Sequence, residues 1–148
     1  MTAVRVTALE GQRHGEALEA QFENQIVLER ALLWQRQAHK GPGDLEFERV
    51  EPTRLSVELV FDGTESSSSV QPDIDKLSHF SSVDSVLHRP PKVELTWGSV
   101  AGAMPTFVAV IASVTVRYGV FADNGVPLHA IADVELEQAV HVAAPASQ

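Results

Sequence analysis

Apolar and polar residues alternate one by one along several stretches of this chain, and only an extended strand puts such a pattern to use. In Arg54-Leu55-Ser56-Val57-Glu58-Leu59-Val60-Phe61, the residues Leu55, Val57, Leu59 and Phe61 share one face, opposite Arg54, Ser56 and Glu58. Lys92-Val93-Glu94-Leu95-Thr96-Trp97 repeats the arrangement with Val93, Leu95 and Trp97 together. A helix would scatter these side chains around its axis, so period two means strands with one face buried. Val4, Val6 and Ala8 give a shorter example at the start, and Glu16 to Phe22 a weaker one.

The C-terminal third carries the longest pattern. Thr106 to Tyr118 is rich in Val, Ile and Thr, Val126 to Glu137 draws its apolar residues from Val, Leu, Ile and Ala, and Ala122-Asp123-Asn124-Gly125 between them is a turn signal. Leu128, Ala130, Ala132, Val134 and Leu136 point one way, and His129, Asp133, Glu135 and Glu137 the other, with Ile131 the exception. The reading is a long antiparallel hairpin. Thirteen residues at ~3.3 Å each reach about 40 Å, long against a compact domain of this size, so the hairpin is either bent by a bulge or shared with neighbours.

One helix is expected from Gln71 or Pro72 to Phe80, capped by Ser69. Proline stands early in its first turn, and Asp73 and Asp75 lie near its positive end. Ile74, Leu77 and Phe80 form its buried stripe. Ser66 to Ser69 and Lys40 to Asp44 read as loops, and Pro90-Pro91 imposes an extended approach to the next strand. The order of elements has no βαβ rhythm, which removes the dinucleotide-binding folds. The fold class is therefore mainly β: an antiparallel barrel or sandwich with one flanking helix and a long C-terminal hairpin. A single domain over 1–142 with a frayed tail at 143–148 accounts for all 148 residues.

Composition removes several functions. There is no cysteine, so disulfide scaffolds, thiolate catalysis and Cys-ligated metal sites are excluded. Twenty acidic residues against eleven basic give a net charge of −9, a surface that repels phosphate backbones. No nucleic-acid partner is expected. The start has no apolar run of signal-peptide length and no stretch is long enough to span a bilayer, so synthesis in the cytoplasm without membrane anchoring is the expectation.

Chemistry is sparse. No G-x-S-x-G elbow and no glycine-rich phosphate cradle occur. Serines, six histidines and several aspartates are numerous enough to meet by chance, so they signal no triad. Asp73, Asp75 and His79 suggest a cation site less well than they suggest a helix N-terminus. His88 reads as a loop histidine bonded to backbone. Glu58, Glu94, Asp133, Glu135 and Glu137 fall on polar strand faces, where a solvated surface is the plain reading. No catalytic residue, metal or cofactor is assigned, and the chain reads as a non-enzyme.

Some residues are also recognisable as a series. Leu55 to Asp62, then His88-Arg89-Pro90-Pro91 through Trp97-Gly98-Ser99, then Phe107 to Tyr118 and Phe121-Ala122-Asp123-Asn124-Gly125-Val126-Pro127-Leu128 resemble the tube-domain family of contractile injection systems. These are headless, phage-tail-like particles. The likeness covers residues 50 to 138 well and the first fifty loosely. Two departures stand out: His129 occupies a position that is often basic in the family, and these 148 residues include no LysM peptidoglycan-binding region of the kind carried by longer relatives, so direct cell-wall binding is not expected.

The resemblance implies a fold like the inner-tube subunit and a structural role as a baseplate adaptor or tube initiator. Its implied partners are identical copies in a hexameric ring, the spike hub, the inner-tube protein and other baseplate subunits. The protein would then belong to the injection particle, assembled in the cytoplasm and extracellular after release. On that reading His88, Arg89, Pro90 and Pro91, with the tip Asp123, Asn124 and Gly125, are candidates for contacts to adjacent rings. Glu58, Glu94, Asp133 and Glu135 are candidates for the lumen face, and edges of the 106–137 hairpin would pair with a neighbour. The alternative is a peptidoglycan- or carbohydrate-binding baseplate module. It asks for exposed aromatics, and Trp34, Trp97 and Tyr118 are the only Trp and Tyr side chains, with Trp97 expected in the core.

Overall fold

Strand pairing organises the computed structural model, which describes residues 2–22, 25–36, 41, 43–98, 102–139 and 142–144. In chain order the elements are β1 (Thr2–Ala8), β2 (Ala17–Phe22), β3 (Val27–Glu29), β4 (Leu32–Arg36), β5 (Leu45–Val50), β6 (Arg54–Asp62), α1 (Gln71–Phe80), β7 (Val93–Thr96), β8 (Phe107–Phe121) and β9 (Pro127–Gln138). Among the described residues, seven strands form one antiparallel sheet in the order β2-β1-β7-β8-β9-β6-β3. A further pairing of Gln21 with Val60 joins β2 back to β6, which curls the sheet into a barrel-like ring. The expected mainly-β architecture, single helix and long hairpin are all present.

Alternation does what the sequence requires of it. Leu55, Val57, Leu59 and Phe61 of β6 stand beside Leu136, Val134, Ala132 and Ala130 of the neighbouring β9 on the inner face of the sheet, and Val4, Val6, Leu18, Val93 and Leu95 join them in the core. Each fully buried Leu or Val side chain contributes roughly 1.5–3 kcal/mol of transfer free energy, so this lining carries the fold. Trp97 is in the core as expected, its ring edge-on to Phe22 at 5.7 Å.

The helix spans the expected residues. Ile74, Leu77 and Phe80 enter the core, and Lys76 Nζ donates to the Ala17 carbonyl at 3.0 Å. Its cap differs by one position. Val70 is the N-cap, and Ser69 stands one residue outside, its Oγ accepting from the Gln71 N–H at 3.1 Å. The reason lies in the preceding turn, where Ser68 N–H bonds to Gly63 O and Val70 N–H to Pro127 O, tying this loop to the turn end of the hairpin.

β8 and β9 pair along their length, with register shifts between Ile111 and Ser113, Tyr118 and Val120, and Val120 and Phe121. The hairpin is therefore bulged, the first of the two options that its length left open. Residues 27–50, which showed no strand signal, hold three strands. β3 pairs with β6, and β4 with β5, and the Glu51 N–H to Ala31 O bond links the two ladders into one arm. Lys40, Pro42, Ser99 and the tail from residue 145 onward lie outside the described residues.

Candidate functional site

The outer face of the ring carries the acids expected on it. Glu58 stands opposite Asp133, and Ser56 opposite Glu135, across the β6–β9 ladder. Thr115 and Arg117 continue this row on β8. Arg117 sits among the carboxylates, ion-paired to Asp133 and at 3.7 Å to Glu58, while Ser113 Oγ donates to Glu135 at 3.3 Å. Glu94 is apart from this group, on β7 between Thr7 and Val108. Three of the four acids thus share a surface, and a guanidinium partly neutralises it.

The structure ties the two candidate contact segments to different neighbours. At the hairpin tip Asp123, Asn124 and Gly125 are exposed. The Val126 N–H donates to Asn124 Oδ1 at 3.2 Å, and the positive φ that the turn needs, 86°, falls on Gly125. The segment 88–91 is instead fastened to the turn between β1 and β2. Arg89 Nη1 reaches Glu10 Oε1 at 2.5 Å, and the Lys92 N–H reaches the same oxygen at 2.9 Å. The hydrogen bond from Arg89 holds the Glu10 carboxyl below its ordinary range, against the opposing effect of burial. Pro91 is buried and Arg89 nearly so, leaving His88 exposed with a positive φ of 59°.

Asp84 shapes this loop. Its carboxylate accepts from the N–H groups of Gln12, Val86 and Leu87 at 2.8, 2.8 and 3.1 Å. Burial opposes its charged form, but these donors and Arg13 win and hold its pKa below the ordinary value. The chain reverses here and presents Val83 and Val86, both well exposed, at the surface. Sequence reading passed over these valines, because isolated apolar residues in a loop carry no period.

Asp73 lies in the first turn of α1, and Asp75 accepts from Gln71 Nε2 at 2.7 Å, which fits the helix reading of these acids. Among the described residues, no group of three or more His, Asp and Glu is placed to hold a metal ion. A cleft of about 310 Å³ lies between β2, the end of β6 and the 63–70 turn, and includes Glu19, Asp62 and Asp73. Asp62 is occupied locally, accepting from Thr64 Oγ1 at 2.6 Å, a bond that lowers its pKa. No described helix is long and apolar enough to cross a membrane.

Residues 9–146 fit the family model described as contractile injection system tube protein. The match reaches well into the first fifty residues, further than the motifs alone carried the resemblance. No curated protein matches the chain.

Proposed function

The chain belongs to the contractile injection system tube protein family, and from that premise we propose that it is an adaptor ring at the baseplate end of the tube. Its role is structural and tube-related, in a family of tube proteins and not of enzymes. In this reading six copies close head to tail into a ring that joins the spike hub to the stacked inner tube. The ring is assembled in the cytoplasm with the other baseplate subunits and leaves the cell with the particle.

The observation that supports the ring most directly is the state of β8. β7 pairs with it only through Phe107, Val108 and Ala109, so from Val110 onward its second edge has no strand among the described residues. An open edge of this length invites pairing, and a cyclic assembly satisfies it with a heterologous contact that closes. The exposed tip at Asp123, Asn124 and Gly125, and His88 as the exposed residue of the braced 88–91 loop, offer contacts to rings above and below. The Glu58, Asp133 and Glu135 face, with Arg117 within it, would give the lumen a polar wall, with Glu94 farther along.

Native mass spectrometry and negative-stain microscopy of the purified chain, alone and co-expressed with the spike hub and inner-tube protein of its own cluster, test this. A six-fold ring, retained in particles between hub and tube, is the expected result. A monomer at micromolar concentration that is also absent from particles would overturn it. The carbohydrate-binding alternative is weaker. Trp97 is buried against Phe22, which leaves Trp34 as the one tryptophan free to stack on a sugar.

A further inference from the structure

The arm formed by β4 and β5 is amphipathic, and its apolar side chains are half exposed among the described residues. Leu32 pairs with Val50, Trp34 with Phe47, and Arg36 with Leu45, and directly opposed residues share a face. Trp34 and Phe47 meet edge to face at 5.2 Å. Leu32, Trp34, Leu45, Phe47 and Val50 are each between 47% and 55% exposed. The other face carries Gln35, Glu46 and Arg49, with Leu33 opposite Arg49 as its one apolar member. Together the five apolar side chains present on the order of 400 Å², the size at which an exposed patch marks an interaction site. A two-stranded ribbon is marginal in water by itself, so this one needs a surface to lie on.

The same chain offers such a surface. Beside the uncovered edge of β8 runs a groove of about 370 Å³ against α1, lined in part by Ile74, Leu77, Val114, Val116 and Tyr118. The uncovered stretch, twelve residues at ~3.3 Å, is about 40 Å long and accommodates a strand the length of β5. Sidedness agrees as well. A strand added here with its apolar face continuing Val114 and Val116 would set its polar face beside Ser113, Thr115 and Arg117.

Charge selects the occupant. The chain as a whole is at −9, which sets copies against one another and against anionic lipid. The strands β4 and β5 carry Arg36 and Arg49 against Glu46 and Glu48, a net of zero. Residues 110–121 carry Arg117 alone, a net of +1. Arm and edge are therefore surfaces on which two acidic copies can meet without repulsion. Each arm contact would bury about 400 Å² on the arm, half of the ~800 Å² per partner of a standard interface, so it would act together with other contacts between the same two copies.

We infer that the β4–β5 arm of one copy docks, apolar face inward, along the free edge of β8 and the α1 groove of the next copy. This rests on the ring reading above and names the contact that closes the ring.

The absence of native cysteine makes the test clean. Gln35→Cys and Thr115→Cys copies, distinguished by mass and treated with a short bismaleimide, should cross-link to each other when mixed, and neither should cross-link to itself. In parallel, Trp34→Ser/Phe47→Ser should raise the concentration for half-assembly at least tenfold while leaving the circular dichroism spectrum unchanged. Rings that form normally with the doubly substituted arm, without the mixed cross-link, would overturn the arm contact and leave the ring standing. Loss of assembly without the mixed cross-link would place the arm on another surface and equally overturn the inference. A wild-type chain that never assembles would instead remove the ring reading on which it rests.

Discussion

Glu10 and Arg89 are 79 positions apart, and their ion pair ties the β1–β2 turn to the loop that precedes β7. Gly11 completes the junction. It has a positive φ of 83°, and a Cβ there would fall 2.5 Å from Asp84 Oδ2, so glycine alone lets the carboxylate reach the Gln12 N–H. Both carboxyls of the junction have lowered pKa values, Glu10 chiefly through the Arg89 hydrogen bond and Asp84 through backbone donors that outweigh burial. A carboxyl with a depressed folded pKa adds stability that is complete above its unfolded value and is lost as pH falls through the folded one. For Glu10 the loss begins below its ordinary value of 4.5. Glu10→Gln should therefore cost about 1 kcal/mol at neutral pH, a charge-assisted hydrogen bond discounted for partial exposure. The variant should also lose less stability than the wild type between about pH 5 and pH 3. Thermal melts across that range check it, and parallel curves for the two proteins would mean that the pair contributes nothing.

At the scale of elements, α1 joins the core through three side chains, Ile74, Leu77 and Phe80. Leu77 is 1% exposed and Phe80 fully buried. Leu77→Ala should destabilise the fold by about 3 kcal/mol in urea titrations, whereas Val83→Ser, at an exposed turn, should stay within about 0.5 kcal/mol. The helix, β6 and the β8–β9 hairpin were legible in the sequence because each buries one face, so its period reports its environment directly. The arm was not. Its apolar residues face outward, the register shift between Leu33 and Trp34 breaks the alternation, and Leu32 and Leu33 stand side by side. Ring closure through Gln21 and Val60 is equally invisible, since it depends on the accumulated curl of the whole sheet and not on any local pattern. Arg89 looked like a surface contact beside two prolines. A partner far away in sequence turned it inward, which no spacing within the loop encodes.

For the whole molecule, charge and shape oppose each other in assembly. A ring of six copies would gather six times the formal charge of −9, or −54, around one axis. Self-repulsion of that kind weakens as salt shortens the Debye length from about 30 Å at 0.01 M to about 8 Å at 0.15 M. The proposed arm contact, being apolar and close to neutral, is not weakened by the same change. Ring formation should therefore strengthen as sodium chloride rises from about 0.01 M to 0.3 M, with the assembled fraction in sedimentation velocity increasing at fixed protein concentration. Contacts made by opposite charges, such as Arg117 reaching a neighbour's carboxylates, would respond with the opposite sign. Assembly that weakens with salt would mean that ion pairs hold the ring and would count against an interface built on Trp34 and Phe47. The sign of one salt titration thus separates the two ways in which so acidic a chain can bind its own copies.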